Sequence, residues 1–233
     1  SQACGDVGAG RLLEPALIVE AITETLGTGL LAGRHVVITA GPTREPICPV
    51  RYISNRSSGK MGYALAEACV NAGAKTTLIS GPVNCSAVDG VHVIPIETTQ
   101  EMHDASLLAA ASADIFIGAA AVVDFKPESV ASQKIKRNGV AEMNLRLLPN
   151  PDIIAAVSNS ASRPSLVVGF AAETEDVKEY ARQKLAKKSL DYIFANDVSD
   201  ASIGFDSDRN AGVLIGQNSN IEMPISTKRV LAE

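Results

Sequence analysis

The chain has 233 residues, of which 46% are hydrophobic and 20% charged, with a formal net charge of -5. That balance suits a globular protein with one sizeable α/β core or two small ones, and it excludes a continuous basic surface for nucleic acid. Cys4, Cys48, Cys69 and Cys85 are far apart and lack CxxC or Cys/His spacing, so reduced thiols in a cytoplasmic protein are expected, not zinc ligands. No apolar run reaches the roughly 20 residues of a membrane helix, and the first residues lack the basic start and apolar core of a signal peptide, so no membrane partner is expected.

Residues 1–33, with Gly5, Gly8, Gly10, Gly27 and Gly29, read as a tail and linker, and a start on Ser1 fits a piece of a longer protein. From Arg34 onward, apolar strand-like runs alternate with helical patterns, as when crossover helices join parallel strands. HVVITAG (35–41) is a buried first strand ending at Gly-Pro. After a long loop, Met61, Ala64, Leu65, Ala68, Cys69 and Ala72 recur at helical spacing, with Gly73 as the stop. Further strands are predicted at 76–80, 91–96, 114–122, 165–172 and 191–197, and helices at 99–111, 151–158 and 175–188. Between Asp124 and Asn150 the period fails, which predicts a mobile loop with a short strand. GVLIG and IEMPIS form a hairpin around QNSN. The predicted fold is α/β: a Rossmann-like, mostly parallel sheet with flanking helices and a small C-terminal β extension, occupying residues 34–233.

The stretch ISNRSSGKMG places Ser57, Ser58 and Gly59 at a helix start, where free N–H groups and the helix dipole favour an anion. It is not a Walker A loop: Ser54 stands where the first glycine is needed, and Met61 follows Lys60 in place of a metal-binding hydroxyl. A dinucleotide GxGxxG is also absent after the first strand, where the chain reads GPTREP. The pattern fits a serine-capped helix as well as an anion site. In the loop before it, Arg44 and Arg51 suit phosphate or carboxylate, and Asn55 offers an amide that cannot become a competing base. Asp124 falls beyond a strand end, and Lys134, Lys136 and Arg137 occupy the predicted mobile loop, from which a lysine could close over a polyphosphate. Lys184 and Lys188 are one helical turn apart, a like-charge pair that an anion would relieve. In NPDII, Asn150 is the expected N-cap, Pro151 the first helical residue and Asp152 a first-turn acid. His35, His92 and His103 read as ordinary strand or surface residues.

AGPTREP, PVRYISNRSSGKMG, GAAAVVDF, KIK, NPDII, GFAAET and ANDVS occur in this order across Arg34 to Ser199. Together they closely resemble the bacterial phosphopantothenoylcysteine synthetases (phosphopantothenate-cysteine ligases), which form the C-terminal half of a bifunctional coenzyme A biosynthesis protein. The resemblance implies that CTP and magnesium activate phosphopantothenate as an acyl-cytidylate, releasing pyrophosphate. The amine of cysteine then displaces CMP. It further implies cytidine-nucleotide contacts at Gly118, Ala119, Ala120, Asp124, Pro151, Asp152, Ile153, Ile154 and Phe170, and triphosphate-facing lysines at Lys134, Lys184 and Lys188. Asn55 would hold the acyl-cytidylate and Lys134 would sit on a lid, while Arg51, Ser57, Ser58 and Gly59 remain substrate or anion candidates. No magnesium ligand follows from the motifs. A homodimer is implied, as is a further C-terminal helix where this sequence ends at KRVLAE. ACGDVGAGRLLEP resembles the end of the flavin-dependent decarboxylase half, with Cys4 at its reactive cysteine. The flavin-binding fold is not represented, so no FMN is expected. The competing readings are an NAD-dependent oxidoreductase and a non-catalytic nucleotide-binding or dimerisation module.

Overall fold

The computed structural model describes residues 29–137, 142–173, 176–197 and 207–233. Strands β1 (His35–Ala40), β4 (Lys75–Ser80), β5 (Val91–Pro95), β6 (Ile115–Gly118), β9 (Leu166–Glu173) and β10 (Tyr192–Asp197) form the parallel part of one sheet. β11 (Arg209–Gly216) and β12 (Asn220–Thr227) add to it antiparallel, giving the order β12-β11-β10-β9-β6-β1-β4-β5. The described helices are α1 (Lys60–Asn71), α2 (Thr99–Ala110), α3 (Ile153–Ser158), α4 (Val177–Lys187) and α5 (Lys228–Ala232). None of them is long and apolar enough to cross a membrane.

β1 shows why its sequence reads as an unbroken apolar run: both faces of the strand are covered. Val36, Ile38 and Ala40 pack with Leu65, Ala66 and Cys69 of α1 on one side. Val37 joins Met102, Phe116, Val157 and Val167 on the other. The chain leaves β1 for β4 on one flank, while β6 pairs along the opposite flank. The order therefore reverses between β1 and β6, and a crevice opens beyond their carboxyl ends, the usual place for a ligand in such sheets.

Several elements differ from the sequence prediction. The long segment after β1 is a hairpin of β2 (Arg44–Cys48) and β3 (Arg51–Ser54). β6 ends at Gly118, short of the predicted Val122, because the chain turns there to bond with the start of that segment: Ala121 N donates to Gly41 O and Thr43 N to Ala121 O. Within 124–150, predicted as a loop with a short strand, residues 138–141 lie outside the described residues and the flanks form a short hairpin. β7 (Phe125–Pro127) pairs with β8 (Leu147–Pro149), and Ala131 N donates to Ile47 O of the β2–β3 hairpin. The C-terminal hairpin is an integral edge of the main sheet. Asp152, not Asn150, caps α3 by accepting from Ala155 N, so Pro151 precedes the helix. α1 has no serine cap: Gly59 holds the N-cap position at φ 76°, a left-handed conformation suited to glycine, and Ser57 Oγ accepts from Gly59 N. The predicted stop at Gly73 stands, with φ 88° just past the helix end. Position 175, the expected start of α4, lies outside the described residues.

Candidate functional site

A cavity of about 690 Å³ occupies the crevice at the carboxyl ends of the parallel strands. Its wall brings together three stretches that are remote in sequence: the 55–62 turn leading into α1, the 118–124 segment after β6, and the 150–154 segment leading into α3. Phe170 of β9 and Lys184 and Lys188 of α4 and its C-terminal boundary also line it. Asn55, Ser57, Ser58, Gly59, Gly118, Ala119, Ala120, Asp124, Pro151, Asp152, Ile153 and Ile154 all lie in this wall.

The apolar floor is built on paired glycines. Gly118 and Gly169 face one another in the β6–β9 register. A Cβ on Gly118 would come within 2.8 Å of Ile154 Cδ1, and one on Gly169 within 3.3 Å of the same atom. The two glycines thus let α3 lie close over one face of the sheet, while Phe170 on the other face packs its ring against Phe194 at 5.2 Å.

Polar groups fix the rim. Asn55 Nδ2 donates to Val122 O at 2.8 Å, tying the anion turn to the 118–124 segment. Thr43 and Thr99 hydroxyls meet at 2.9 Å in the interior, Val123 N donates to Thr43 Oγ1, and Asn150 Nδ2 donates to both Thr99 Oγ1 and Val123 O. This buried network locks the 118–124 and 150–154 segments to each other, because breaking any bond would strand a polar group away from water. Asp152 accepts from Ala155 N through one oxygen, and its other oxygen pairs with Lys188 Nζ at 2.9 Å. The described wall carries Arg56, Lys60, Lys184, Lys188 and Lys228 against the carboxylates of Asp124 and Asp152. Low-dielectric walls focus such an excess of positive charge on an anionic ligand.

Three predicted cations lie elsewhere. Lys134 is exposed and absent from the wall. Arg51 also lies outside the wall, and its Nη1 donates to Ile135 O at 2.9 Å, fastening the Lys134 segment to the β2–β3 hairpin. Arg44 stacks over the Tyr52 ring at 4.6 Å. His35 bonds Thr77 and Ser112, His103 pairs with Asp104, and no histidine is among the described lining residues. Sequence reasoning missed Gly62, Asn196, Asn210 and Lys228 as wall residues. ANDVS contained Asn196, but nothing local singled out Lys228. Among the described residues no three His, Cys, Asp or Glu side chains form a group that could hold a metal ion.

The family model for the DNA/pantothenate metabolism flavoprotein C-terminal domain matches residues 31–233. The coenzyme A biosynthesis bifunctional protein CoaBC of Vibrio parahaemolyticus is 49% identical over 232 residues, covering 99% of this chain and 58% of that protein. The Escherichia coli K12 protein of the same name is 46% identical over 236 residues, covering 100% of this chain and 58% of its own length. The chain therefore spans just over half of these relatives. The crystal structure of the C-terminal domain of CoaBC superposes with a TM-score of 0.74 at 36% identity, covering 88% of this chain and 92% of that one. A Cab2 mutant in complex with phosphopantothenate-cysteine shares the fold at a TM-score of 0.67 and 18% identity, covering 94% of this chain and 92% of that one.

Proposed function

Because the chain belongs to the DNA/pantothenate metabolism flavoprotein C-terminal domain family, we propose that it ligates phosphopantothenate to L-cysteine, with CTP as the activating nucleotide. The observation that carries this reading is the convergence of the 55–62, 118–124 and 150–154 segments with Lys184 and Lys188 on one cation-rich cavity of about 690 Å³. Its volume falls within the range of small-molecule sites.

In the first step a carboxylate oxygen of phosphopantothenate attacks the α-phosphorus of CTP and the bond to the β-phosphate breaks. Pyrophosphate leaves with its electron pair. Negative charge accumulates on the leaving group, and Lys184 and Lys188 are the residues to stabilise it, joined by Lys134 when its segment closes. In the second step the neutral amine of cysteine attacks the acyl carbon, CMP departs, and the nitrogen gives up a proton as the amide forms. Asn55, held by its bond to Val122 O, presents its amide to the acyl-cytidylate without adding a competing base. The part of the wall that includes Gly118, Ala119, Ala120 and Phe170 receives the cytosine ring. Among the described residues no three-donor group would cage magnesium; the ion would be held mainly by the nucleotide phosphates and would neutralise their charge.

Further parts of the reading concern the whole protein. Val50 and Tyr52 on the β2–β3 hairpin and Phe125 and Leu147 on the adjoining β7–β8 hairpin are exposed large apolar residues, which supports a homodimer contact there. Residues 1–33 are read as the end of a preceding flavin-dependent decarboxylase domain in a cytoplasmic bifunctional protein, with residues 34–233 as the ligase domain. Cys4 falls outside the described residues, and no FMN is assigned to this chain. The test is incubation with magnesium, CTP, phosphopantothenate and cysteine, measuring pyrophosphate and CMP. Stoichiometric formation of both with phosphopantothenoylcysteine is expected. A folded protein that produces no CMP would refute the reading.

A further inference from the structure

The loop between β4 and β5, residues 81–89, leaves the sheet at the same carboxyl edge as the cavity, yet none of its residues lines the cavity wall. Its start is pinned to the end of β1. Gly81 N donates to Ala40 O at 2.9 Å, and a Cβ on Gly81 would stand 1.8 Å from Pro42 O. Two residues further on, one methyl of Val83 fills the gap between two backbones that are remote in sequence. A Cβ built on Gly41, just past β1, would stand 2.8 Å from Val83 Cγ1, and one built on Gly59, the N-cap of α1, would stand 2.7 Å from the same atom. A methyl held against backbone on two sides has no room to shift, so Val83 sets the separation between the end of β1 and the anion turn.

A second contact joins the same loop to the turn. Cys85 Sγ donates to Ser58 O at 3.3 Å. Burial raises the Cys85 thiol above its ordinary range, outweighing the opposite pull of Lys60 and Lys228, so the group stays protonated and can donate at neutral pH. The loop therefore meets two consecutive residues of the turn, Ser58 through a hydrogen bond and Gly59 through close packing. Asn55 Nδ2 ties the start of the turn to Val122 O, whereas α1 begins without a side-chain cap. The loop supplies support at that helix end of the turn.

We propose that Val83 and Cys85 are positioning residues for the reaction: the 81–85 loop buttresses the 55–59 turn from outside the cavity and fixes where the turn presents Asn55, Ser57 and Ser58. That the turn acts on substrates rests on the ligase reading; the buttress itself does not. Removing the Val83 methyls opens space in front of Gly41 and Gly59, into which the turn can sink. Its groups are then misplaced, while the 118–124 and 150–154 segments of the wall keep their own positions and still bind substrate. The loss accordingly falls on kcat more than on KM.

The test compares Val83→Ala with Val213→Ala, which removes the same methyls from a buried site on β11 outside the cavity wall. At a temperature where both proteins are fully folded, Val83→Ala should lower kcat for CMP formation about tenfold, with the KM for CTP changed by less than about threefold. Val213→Ala should leave both constants unchanged. Val83→Ile, which keeps both γ carbons, should restore most of kcat. A readout independent of activity is the rate at which iodoacetamide alkylates Cys85, followed by peptide mass mapping. Released from Ser58 O, the thiol should react several-fold faster in Val83→Ala than in wild type. If Val83→Ala fails to fold, Cys85→Ala against Cys85→Ser, which keeps a donor, carries the kinetic comparison. An unchanged kcat in Val83→Ala, or an equal loss in Val213→Ala, overturns the positioning role, and an unchanged alkylation rate overturns the buttress. Faster alkylation in Val83→Ala, where the wild-type chain forms no CMP, defeats the ligase reading and leaves the buttress standing.

Discussion

Gly62 offers a direct test of how α1 is held against the sheet and, through it, how the anion turn is placed. It lies in the first turn of α1, and a Cβ built on it would stand 2.5 Å from Ala40 Cβ and 3.1 Å from Ala40 Cα of β1. Two effects oppose each other in Gly62→Ala. Helix propensity favours alanine by about 1 kcal/mol. Overpacking a close contact costs about 1–3 kcal/mol, and here neither partner can turn away, because Ala40 is fully buried on a central strand and both Cβ positions are set by backbone. The clash wins, with a net loss of up to about 2 kcal/mol. For a domain of this size that lowers the melting temperature by up to roughly 8 °C. The helix start must also move outward, carrying Ser58, Gly59 and Lys60 with it, so CTP affinity should fall along with stability. Calorimetric melting and nucleotide titration measure both. Adding Ala40→Gly removes the obstructing methyl, so the double variant should be more stable than the sum of the single effects predicts. A Gly62→Ala protein that melts at or above the wild-type temperature would show that α1 is not seated on β1 by this contact.

Asn55→Asp sets a carboxylate against Val122 O in place of the donor that bonds it at 2.8 Å; pyrophosphate release should persist while the acyl-cytidylate accumulates, and rapid amide formation in a quenched-flow assay would remove Asn55 from the second step. Lys134→Gln should slow pyrophosphate release by about tenfold or more, and an unchanged rate would count against a closing role for an exposed side chain that lies outside the cavity wall. Thr98→Ala removes the hydroxyl that caps α2 by accepting from Glu101 N and should cost about 1 kcal/mol, or roughly 2–4 °C of melting temperature. In the same capping box, the backbone N–H of Thr98 and then that of Glu97 hold the Glu101 carboxyl below its ordinary value of 4.5. Its contribution is complete above that value and is lost as pH falls through the lower folded-state value. The stability gap between wild type and Glu101→Gln should accordingly be largest near neutrality and close in acid; a gap that widens in acid contradicts the capping assignment.

The parts of the fold that were legible in the sequence are those whose environment is uniform along the segment. Val36, Val37, Ile38 and Ala40 are all buried, so an uninterrupted apolar run was enough to place β1. The β2–β3 hairpin gave no such signal, because its residues serve mixed purposes. Glu45 is only 4% exposed, yet it is charged, and its burial makes sense only once Oε1 is seen accepting from Thr99 N at the start of α2. Pro46 in the same strand and the exposed Tyr52 of β3 further obscure any alternation. The site divides along the same line. Motifs that carry their own geometry, such as the turn at Ser57 to Gly59 and the glycine at 118, placed their residues in the cavity. Arg51 and Lys134 did not follow, since a cation in a loop can be satisfied by any nearby carbonyl, and Arg51 took that of Ile135. Lys228 could not be read at all. Its burial depends on β11 and β12 returning along the sheet edge and α5 closing onto α1, so it reaches the cavity wall only when the last strands are in place.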